Sequence, residues 1–271
     1  MGAVTVNFAT GKAIDGFGDE DTFSNIEAVR GTHLGDTFIG SDDQSYIRYR
    51  GLAGNETITG TAGTYDVLDH RCDRDERDAD ENYSGNNGII ADFAEGTVID
   101  GFGDTDSVSF IDEIRGTIFG DHITADDDGL VMGGYKGDDT LIGGAGDDDF
   151  YVGDGTSSVD GADGDDWLYL NRDIADFRVN GVDITDDEAV SDAAFTRDNV
   201  LTVTSTDGNL SVTAEGIEAL VFEDTFVDLD VLLSGATSAA DQVGDAASTV
   251  SQDLSAGGGD DTVLGGQADD D

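Results

Sequence analysis

The feature that most constrains this chain is a nine-residue repeat that runs without interruption from residue 116 to residue 169. Each of its six blocks carries an apolar residue at the eighth position: Ile123, Met132, Leu141, Phe150, Val159 and Leu168. Short fixed periods are typical of architectures in which each unit buries its apolar face only against its neighbours. The repeat therefore predicts a stack of similar short units around a thin core.

Within each block, the pattern predicts a six-residue turn followed by a three-residue strand. Glycine permits the positive φ angles that tight turns need. Because side chains alternate along a strand, an inward position eight leaves positions seven and nine facing solvent. Two blocks make one full turn of such a coil, so loops two blocks apart stack directly. We expect an all-β fold, a parallel β-roll or β-helix solenoid built from nonapeptide repeats and followed by a smaller β-rich segment.

Aspartate occupies position six in four of the six blocks, as Asp121, Asp139, Asp148 and Asp166. Stacking two blocks apart places Asp148 beside Asp166 and Asp121 beside Asp139. Such carboxylates repel one another unless a hard cation lies between them, and carboxylates with turn carbonyls are ligands that calcium prefers. The other two blocks have Leu130 and Ser157 at this position, which predicts incomplete sites there.

The blocks GYKGDDTLI, GGAGDDDFY and GADGDDWLY resemble the RTX repeats of type I-secreted bacterial proteins. That family includes haemolysins, serralysin-like proteases, lipases, alginate epimerases and large adhesins. The resemblance implies calcium ions bound between successive loops, with position-six carboxylates and loop carbonyls as ligands, and it implies secretion from the cell. The glycines of the candidate loops are Gly134, Gly137, Gly143, Gly144, Gly146, Gly161 and Gly164.

A longer repeat of 85 residues relates Ile14–Arg30 to Ile99–Arg115, so the chain begins with two copies of one module. The first copy has poorer nonapeptides, which offer Asp36, Glu56 and then Tyr65 at position six. Tyrosine does not replace a carboxylate ligand at neutral pH. Two extra residues between Arg48 and Gly51 also break the period and are expected to misalign a loop pair. We therefore expect fewer or poorer calcium sites in the first copy.

These patterns divide the chain into six parts. They are a first module (residues 1–68), a charged loop (69–85), a second module (86–169), a β-rich post-repeat segment (170–233), a linker (234–255) and the start of a further block (256–271). Asp207-Gly208 predicts a hairpin within the post-repeat segment. The final block offers Asp261 as a ligand and stops before its eighth position, which predicts that the rest of a longer polypeptide follows.

The charge balance restricts the partners of this chain. Asp and Glu total 61 against 12 Lys and Arg, which gives a net charge of -49. Such a chain is not expected to bind nucleic acid, and its self-repulsion opposes compaction unless cations neutralise it. No apolar run is long enough to predict a membrane span. The single cysteine, Cys72, excludes an internal disulfide.

Nothing in the sequence predicts an enzyme. Acidic pairs are too abundant to nominate a general acid and base, and His33, His70 and His122 are scattered without metal-ligand spacing. Two alternatives concern the aspartates. Salt adaptation explains an acidic surface but not a nine-residue phase, and the GFGD strings, with Asp19 and Asp21 or Asp104 and Asp106, are read either as extra calcium loops or as ordinary turns.

The sequence thus predicts a calcium-binding module of a secreted, extracellular protein that folds on binding calcium outside the cell. Tandem modules without a catalytic motif favour a spacer in a larger adhesin or surface protein. The alternative is an accessory RTX region of a secreted protease, lipase or polysaccharide-modifying enzyme whose catalytic domain lies elsewhere. The N-terminus has neither the basic nor the apolar region of a signal peptide.

Overall fold

The computed structural model describes residues 2–71, 87–184 and 200–229, and two short strands at 242–243 and 262–263. These residues are almost entirely β-structure, and their only helix is the short 3₁₀ helix η1 (Ile174–Asp176). The prediction of an all-β fold is confirmed. No helix among the described residues has the length and apolar character needed to cross a membrane.

The first module forms eight short strands. They are β1 (Thr5–Asn7), β2 (Lys12–Ile14), β3 (Glu20–Thr22), β4 (Ala28–Arg30), β5 (Thr37–Ile39), β6 (Tyr46–Arg50), β7 (Thr57–Thr59) and β8 (Tyr65–Asp69).

The second module forms ten strands. They are β9 (Ile90–Asp92), β10 (Thr97–Ile99), β11 (Thr105–Ser109), β12 (Glu113–Arg115), β13 (His122–Thr124), β14 (Val131–Tyr135), β15 (Thr140–Ile142), β16 (Asp149–Val152), β17 (Gly155–Asp160) and β18 (Trp167–Leu170).

Seven further strands follow the repeats. They are β19 (Phe177–Val179), β20 (Leu201–Ser205), β21 (Leu210–Glu215), β22 (Ala219–Phe222), β23 (Phe226–Asp228), β24 (Gln242–Val243) and β25 (Thr262–Val263). β24 pairs with β25, so part of the predicted linker is a strand. β20 and β21 are antiparallel, which confirms the hairpin predicted at Asp207-Gly208.

The strands form two long sheets. Sheet A has fourteen strands in the order β19-β20-β21-β17-β15-β13-β9-β10-β11-β7-β5-β1-β2-β3, and sheet B has nine in the order β23-β22-β18-β16-β14-β12-β8-β6-β4. Within the nonapeptides, successive strands alternate between the sheets and pair in parallel. β13 pairs with β15, β15 with β17, and β16 with β18, with one register throughout.

The thin apolar core follows the eighth position of the repeat. All six predicted residues, Ile123 to Leu168, are at most 1% exposed and belong to one cluster with residues of both sheets. The flanking positions are exposed or half-buried, as the alternation predicts. Trp167 at position seven is 43% exposed and lies beside Asp149 in the neighbouring strand, which confirms its predicted outward direction.

Both sheets continue across the predicted boundaries between parts. β11 of the second module pairs with β7 of the first, and β12 pairs with β8. In the post-repeat segment, β21 pairs with β17 and β22 with β18. The modules and the post-repeat segment therefore share their sheets.

Two expectations for the first module were wrong. The extra residues before Gly51 do not misalign the loops, because Thr37 pairs with Thr57 and a Cβ on Gly35 would lie 2.5 Å from the Asn55 carbonyl oxygen. The charged loop does not begin at Asp69, which lies in β8 with its carboxylate buried against Arg50. The rest of that loop, from residue 72, lies outside the described residues.

Candidate metal centres

Glycines set the shape of the stacked loops. Gly137 and Gly164, at position four of their blocks, adopt φ angles of 122° and 139°, which L-residues rarely adopt. The loops also meet backbone to backbone. A Cβ on Gly144 would lie 1.6 Å from the Asp126 carbonyl oxygen, and one on Gly146 would lie 2.4 Å from the Gly129 nitrogen.

Position-one glycines make room for the carboxylate of their own block. A Cβ on Gly134 would lie 2.5 Å from Asp139 Oδ2, and one on Gly143 would lie 2.6 Å from Asp148 Oδ2. Gly161 has the same relation to Asp166, at 2.5 Å. The glycine and the aspartate of a block are thus one steric unit.

In sheet B, the position-six residues form a ladder in which a backbone N–H donates to the next carboxylate. Leu130 donates to Asp148 Oδ1 at 2.8 Å, and Asp148 donates to Asp166 Oδ1 at 2.9 Å. Asp166 in turn donates to Glu218 Oε2 of the post-repeat segment at 2.7 Å. The stacking of Asp148 on Asp166 is therefore confirmed, and Glu218 is an additional member that the repeat pattern did not predict.

Sheet A carries an equivalent ladder. Ile89 donates to Asp121 Oδ1 at 2.8 Å, and Asp121 donates to Asp139 Oδ1 at 2.9 Å. Asp139 donates to the Ser157 hydroxyl oxygen at 3.3 Å. The predicted stacking of Asp121 on Asp139 is confirmed, and the serine that replaces aspartate closes the ladder with a neutral acceptor.

The ladder carboxylates differ in how fully their oxygens are used. Asp121 and Asp148 accept bonds on both oxygens, because Thr117 and Gly144 donate to their Oδ2 atoms at 2.7 and 2.9 Å. The Oδ2 atoms of Asp139 and Asp166 are buried and accept no hydrogen bond. A buried carboxylate oxygen without a donor is costly, and a hard cation fits it.

Burial has an electrostatic consequence at these two aspartates. It raises the pKa of Asp139 to about 6 and the pKa of Asp166 to about 7, since the charged form loses its hydration. Nearby Asp121 adds to the first shift and Asp148 to the second. Both sites therefore favour either a proton or another positive charge.

A second row of carboxylates lies on the outside of the loops, at position five. Asp138 accepts a bond from the Thr156 backbone at 2.7 Å, and Asp147 accepts one from Asp165 at 3.0 Å. These side chains are exposed. They link the same stacked loops as the buried ladder, and the sequence analysis did not select them.

In the first module, Asp36 repeats the geometry of the ladder. It accepts bonds from the Val4 and Thr32 backbones at 2.6 and 2.5 Å. Tyr65 lies 39% exposed, and the buried position is taken instead by the next residue, Asp66, which accepts a bond from the Tyr49 hydroxyl at 2.8 Å. Asp66 was missed because it stands one place beyond position six.

Glu56 belongs to a cluster that the repeat does not predict. Its carboxylate and those of Asp100 and Asp106 offer ligand atoms that all lie within 4.8 Å of one another. In the described residues, this is the only group of three or more His, Cys, Asp or Glu side chains with that geometry. Of the GFGD-string aspartates, Asp106 therefore reaches a possible metal site, whereas Asp19 and Asp21 are exposed. Asp261 lies outside the described residues.

The search of protein-family models found no match to this chain, and the search of curated proteins also found none.

Proposed function

We propose that this chain is a calcium-binding region of a secreted protein, built as a parallel β-roll of RTX-type nonapeptides that folds when calcium binds outside the cell. The observation that carries the proposal is the pair of buried carboxylate ladders, one in each sheet. In each ladder, the acidic residue is buried at the loop-to-strand transition and stacks on the residue 18 positions further along.

The proposed ligands are the position-six carboxylates of the second module, together with turn carbonyls of the same loops. Asp139 and Asp166 are the principal candidates, because each has a buried oxygen that accepts no hydrogen bond. Asp121 and Asp148 hold the neighbouring loops in register through their backbone and side-chain bonds. Calcium would supply positive charge and several bonds to oxygen at these positions.

The charge of the whole chain supports dependence on the extracellular medium. At -49, the chain repels itself. Extracellular calcium modules commonly have dissociation constants of about 10⁻⁴–10⁻³ M, so millimolar calcium contributes roughly 1–2 kcal/mol per site. Several sites together are comparable with the total stability of a domain. The same sites stay empty at cytosolic calcium concentrations.

The parent protein is proposed to use this region as a spacer in an adhesin or surface protein. Strand pairing continues from the first module through the second into the post-repeat segment. A continuous hydrogen-bonded sheet resists bending between its units, which suits a structural element. No catalytic role is proposed for these residues.

Isothermal titration of the chelator-treated chain with calcium tests the proposal. The wild-type chain should bind several ions, and Asp166→Asn should bind fewer. Asp165→Asn is the matched control, because Asp165 is adjacent, exposed and at position five. Absence of calcium binding by the wild-type chain, or equal losses in both variants, would overturn the assignment.

A further inference from the structure

The joint between the two modules is built differently from the stacking inside either one. β11 pairs with β7 in parallel, with Ser107 opposite Thr57, a spacing of 50 residues. The Ser107 backbone donates to the Glu56 carbonyl at 2.9 Å, and the Glu56 backbone donates to Asp106 Oδ1 at 2.9 Å. Asp104 accepts a further bond from the Gly54 backbone at 2.8 Å.

Three carboxylates meet at this joint. Glu56 comes from the last sheet A loop of the first module, and Asp100 and Asp106 come from the turn and strand that dock on it. All three side chains are 1% exposed. Their ligand atoms lie within 4.8 Å of one another, which is a separation that one bound ion can span.

Glu56 points to a ligand independently of the cluster. Both of its carboxylate oxygens are buried and accept no hydrogen bond. Burial raises its pKa far above the ordinary value, and Asp106, Asp100 and Asp36, all acidic, raise it further. An acidic side chain placed in this way requires either a proton or a cation.

The first module contains the same turn without the third carboxylate. Asp15 is the counterpart of Asp100, and both use Oδ1 to accept two backbone N–H groups of their own turn. Asp21 is the counterpart of Asp106 and is exposed on β3, the last strand of sheet A. The turn alone therefore does not gather the carboxylates, and the residue that completes the cluster comes from the adjoining module.

We propose that Glu56, Asp100 and Asp106 bind one hard divalent cation that joins the first module to the second. This site rests on the proposed function in taking calcium as the ion. It differs from the ladder sites because three side chains, drawn from both modules, supply its ligands. An all-oxygen ligand set favours calcium over zinc, which prefers nitrogen and sulfur.

Counting bound calcium in the full chain tests the proposal. Native mass spectrometry and isothermal titration should show one ion fewer in Glu56→Gln and in Asp106→Asn than in the wild type. Asp21→Asn, the matched control, should keep the wild-type count. Combining Glu56→Gln with Asp166→Asn should remove both ions additively, because the two sites lie in different sheets.

The outcomes separate this proposal from the proposed function. If the wild type binds no calcium, the proposed function fails. If it binds calcium and Glu56→Gln keeps the full count and affinity, only the joint site is overturned. Should the variants fail to fold, a wild-type crystal grown with a lanthanide in place of calcium decides the matter. An anomalous peak among the three carboxylates supports the site, and its absence overturns it.

Discussion

The two modules share their turn and strand sequence, yet they stack with different regularity. In the second module, every paired nonapeptide strand lies 18 residues from its partner, as Thr140 does from Ser158. In the first, Thr37 pairs with Thr57 and Tyr46 with Tyr65. Strand pairing tolerates this variation, because a longer loop can bulge outward while the backbone bonds are kept.

The acidic ladder is more sensitive than the strands. With a constant loop length, each carboxylate in the second module falls beneath the N–H group of the preceding loop. In the first module, a one-residue change moves the buried carboxylate from position six to Asp66, which bonds to the Tyr49 hydroxyl. Regular loop length is therefore what converts a β-stack into a series of equivalent ion sites.

The largest expected effect is the loss of both sheet B aspartates. An Asp148→Ala, Asp166→Ala variant loses the bonds to Leu130, Gly144 and the Asp148 backbone. Hydrogen bonds to charged groups contribute about 1.5–3 kcal/mol each, so unfolding in calcium should weaken by at least about 3 kcal/mol. Urea unfolding followed by circular dichroism measures this change.

Two comparisons sharpen that result. Asp36→Ala in the first module should remove fewer calcium ions than the double variant. An Asp147→Ala, Asp165→Ala variant changes the exposed position five of the same loops and should cost less than about 1 kcal/mol, as for other exposed charges. Equal losses in the buried and exposed pairs would show that net charge, and not the ladder, governs stability.

The second expected effect is a pH response of the calcium-free chain. Burial raises the pKa of Asp139 to about 6 and that of Asp166 to about 7. An acid whose folded pKa is raised is stabilising when protonated, so stability is present below the unfolded value near 3.8 and is lost as pH rises to about 7. Circular dichroism in chelator should show more β-structure at pH 4 than at pH 8.

Asp69, at the end of the first module's last strand, should respond in the opposite direction. Burial raises its pKa, but hydrogen bonds from Arg71 and Arg50 outweigh burial and lower it below the ordinary value. Its stabilisation is present above the unfolded pKa and is lost only at stronger acid. Asp166→Asn should therefore reduce the response between pH 4 and 8, whereas Asp69→Asn should leave that response in place. The opposite pattern would contradict this account.

The third effect concerns loop glycines. Gly137→Ala places a Cβ at a φ of 122° and 2.4 Å from the Phe119 carbonyl carbon of the stacked loop. It should destabilise the chain by about 1–3 kcal/mol. Gly103→Ala has a φ of 93° but open space around the new atom, so it should cost less. Thermal unfolding of both variants separates the clash from the backbone strain, and equal costs would argue against close loop stacking.

The smallest effect is expected at the outer edge of the first module. Lys12 and Glu20 form an ion pair at 2.7 Å with both side chains half-exposed. Such pairs contribute about 0–1 kcal/mol, so Lys12→Ala should change the free energy of unfolding by less than about 0.5 kcal/mol. A loss above 2 kcal/mol would mean that this edge has a structural role that its exposure does not indicate.

The repeat period was sufficient to predict the regular parts of the molecule. It placed Leu141 and Phe150 in the core and stacked Asp148 on Asp166. A period carries this information because each block meets the same neighbours. Single-residue slips have no such redundancy, which is why Tyr65 was predicted in place of Asp66.

The joint between the modules was not predictable from the period. Glu56 meets Asp106 across 50 residues, and no nine-residue rule relates them. The 85-residue repeat placed Asp15 and Asp100 in equivalent turns, but only β-pairing between modules brings Asp100 to Glu56. Such contacts depend on which strand docks on which edge, a choice made by the folded chain as a whole.

The most direct test of the central claim is to compare calcium with simple salt in the folding of the chelator-treated chain. Millimolar calcium should produce a saturable gain of β-type circular dichroism and a change in the emission of Trp167, the only tryptophan. Magnesium should do much less, because it gives up its water shell reluctantly. Sodium chloride at high concentration screens the -49 charges without filling the sites. A transition of full amplitude in sodium chloride alone would contradict the account.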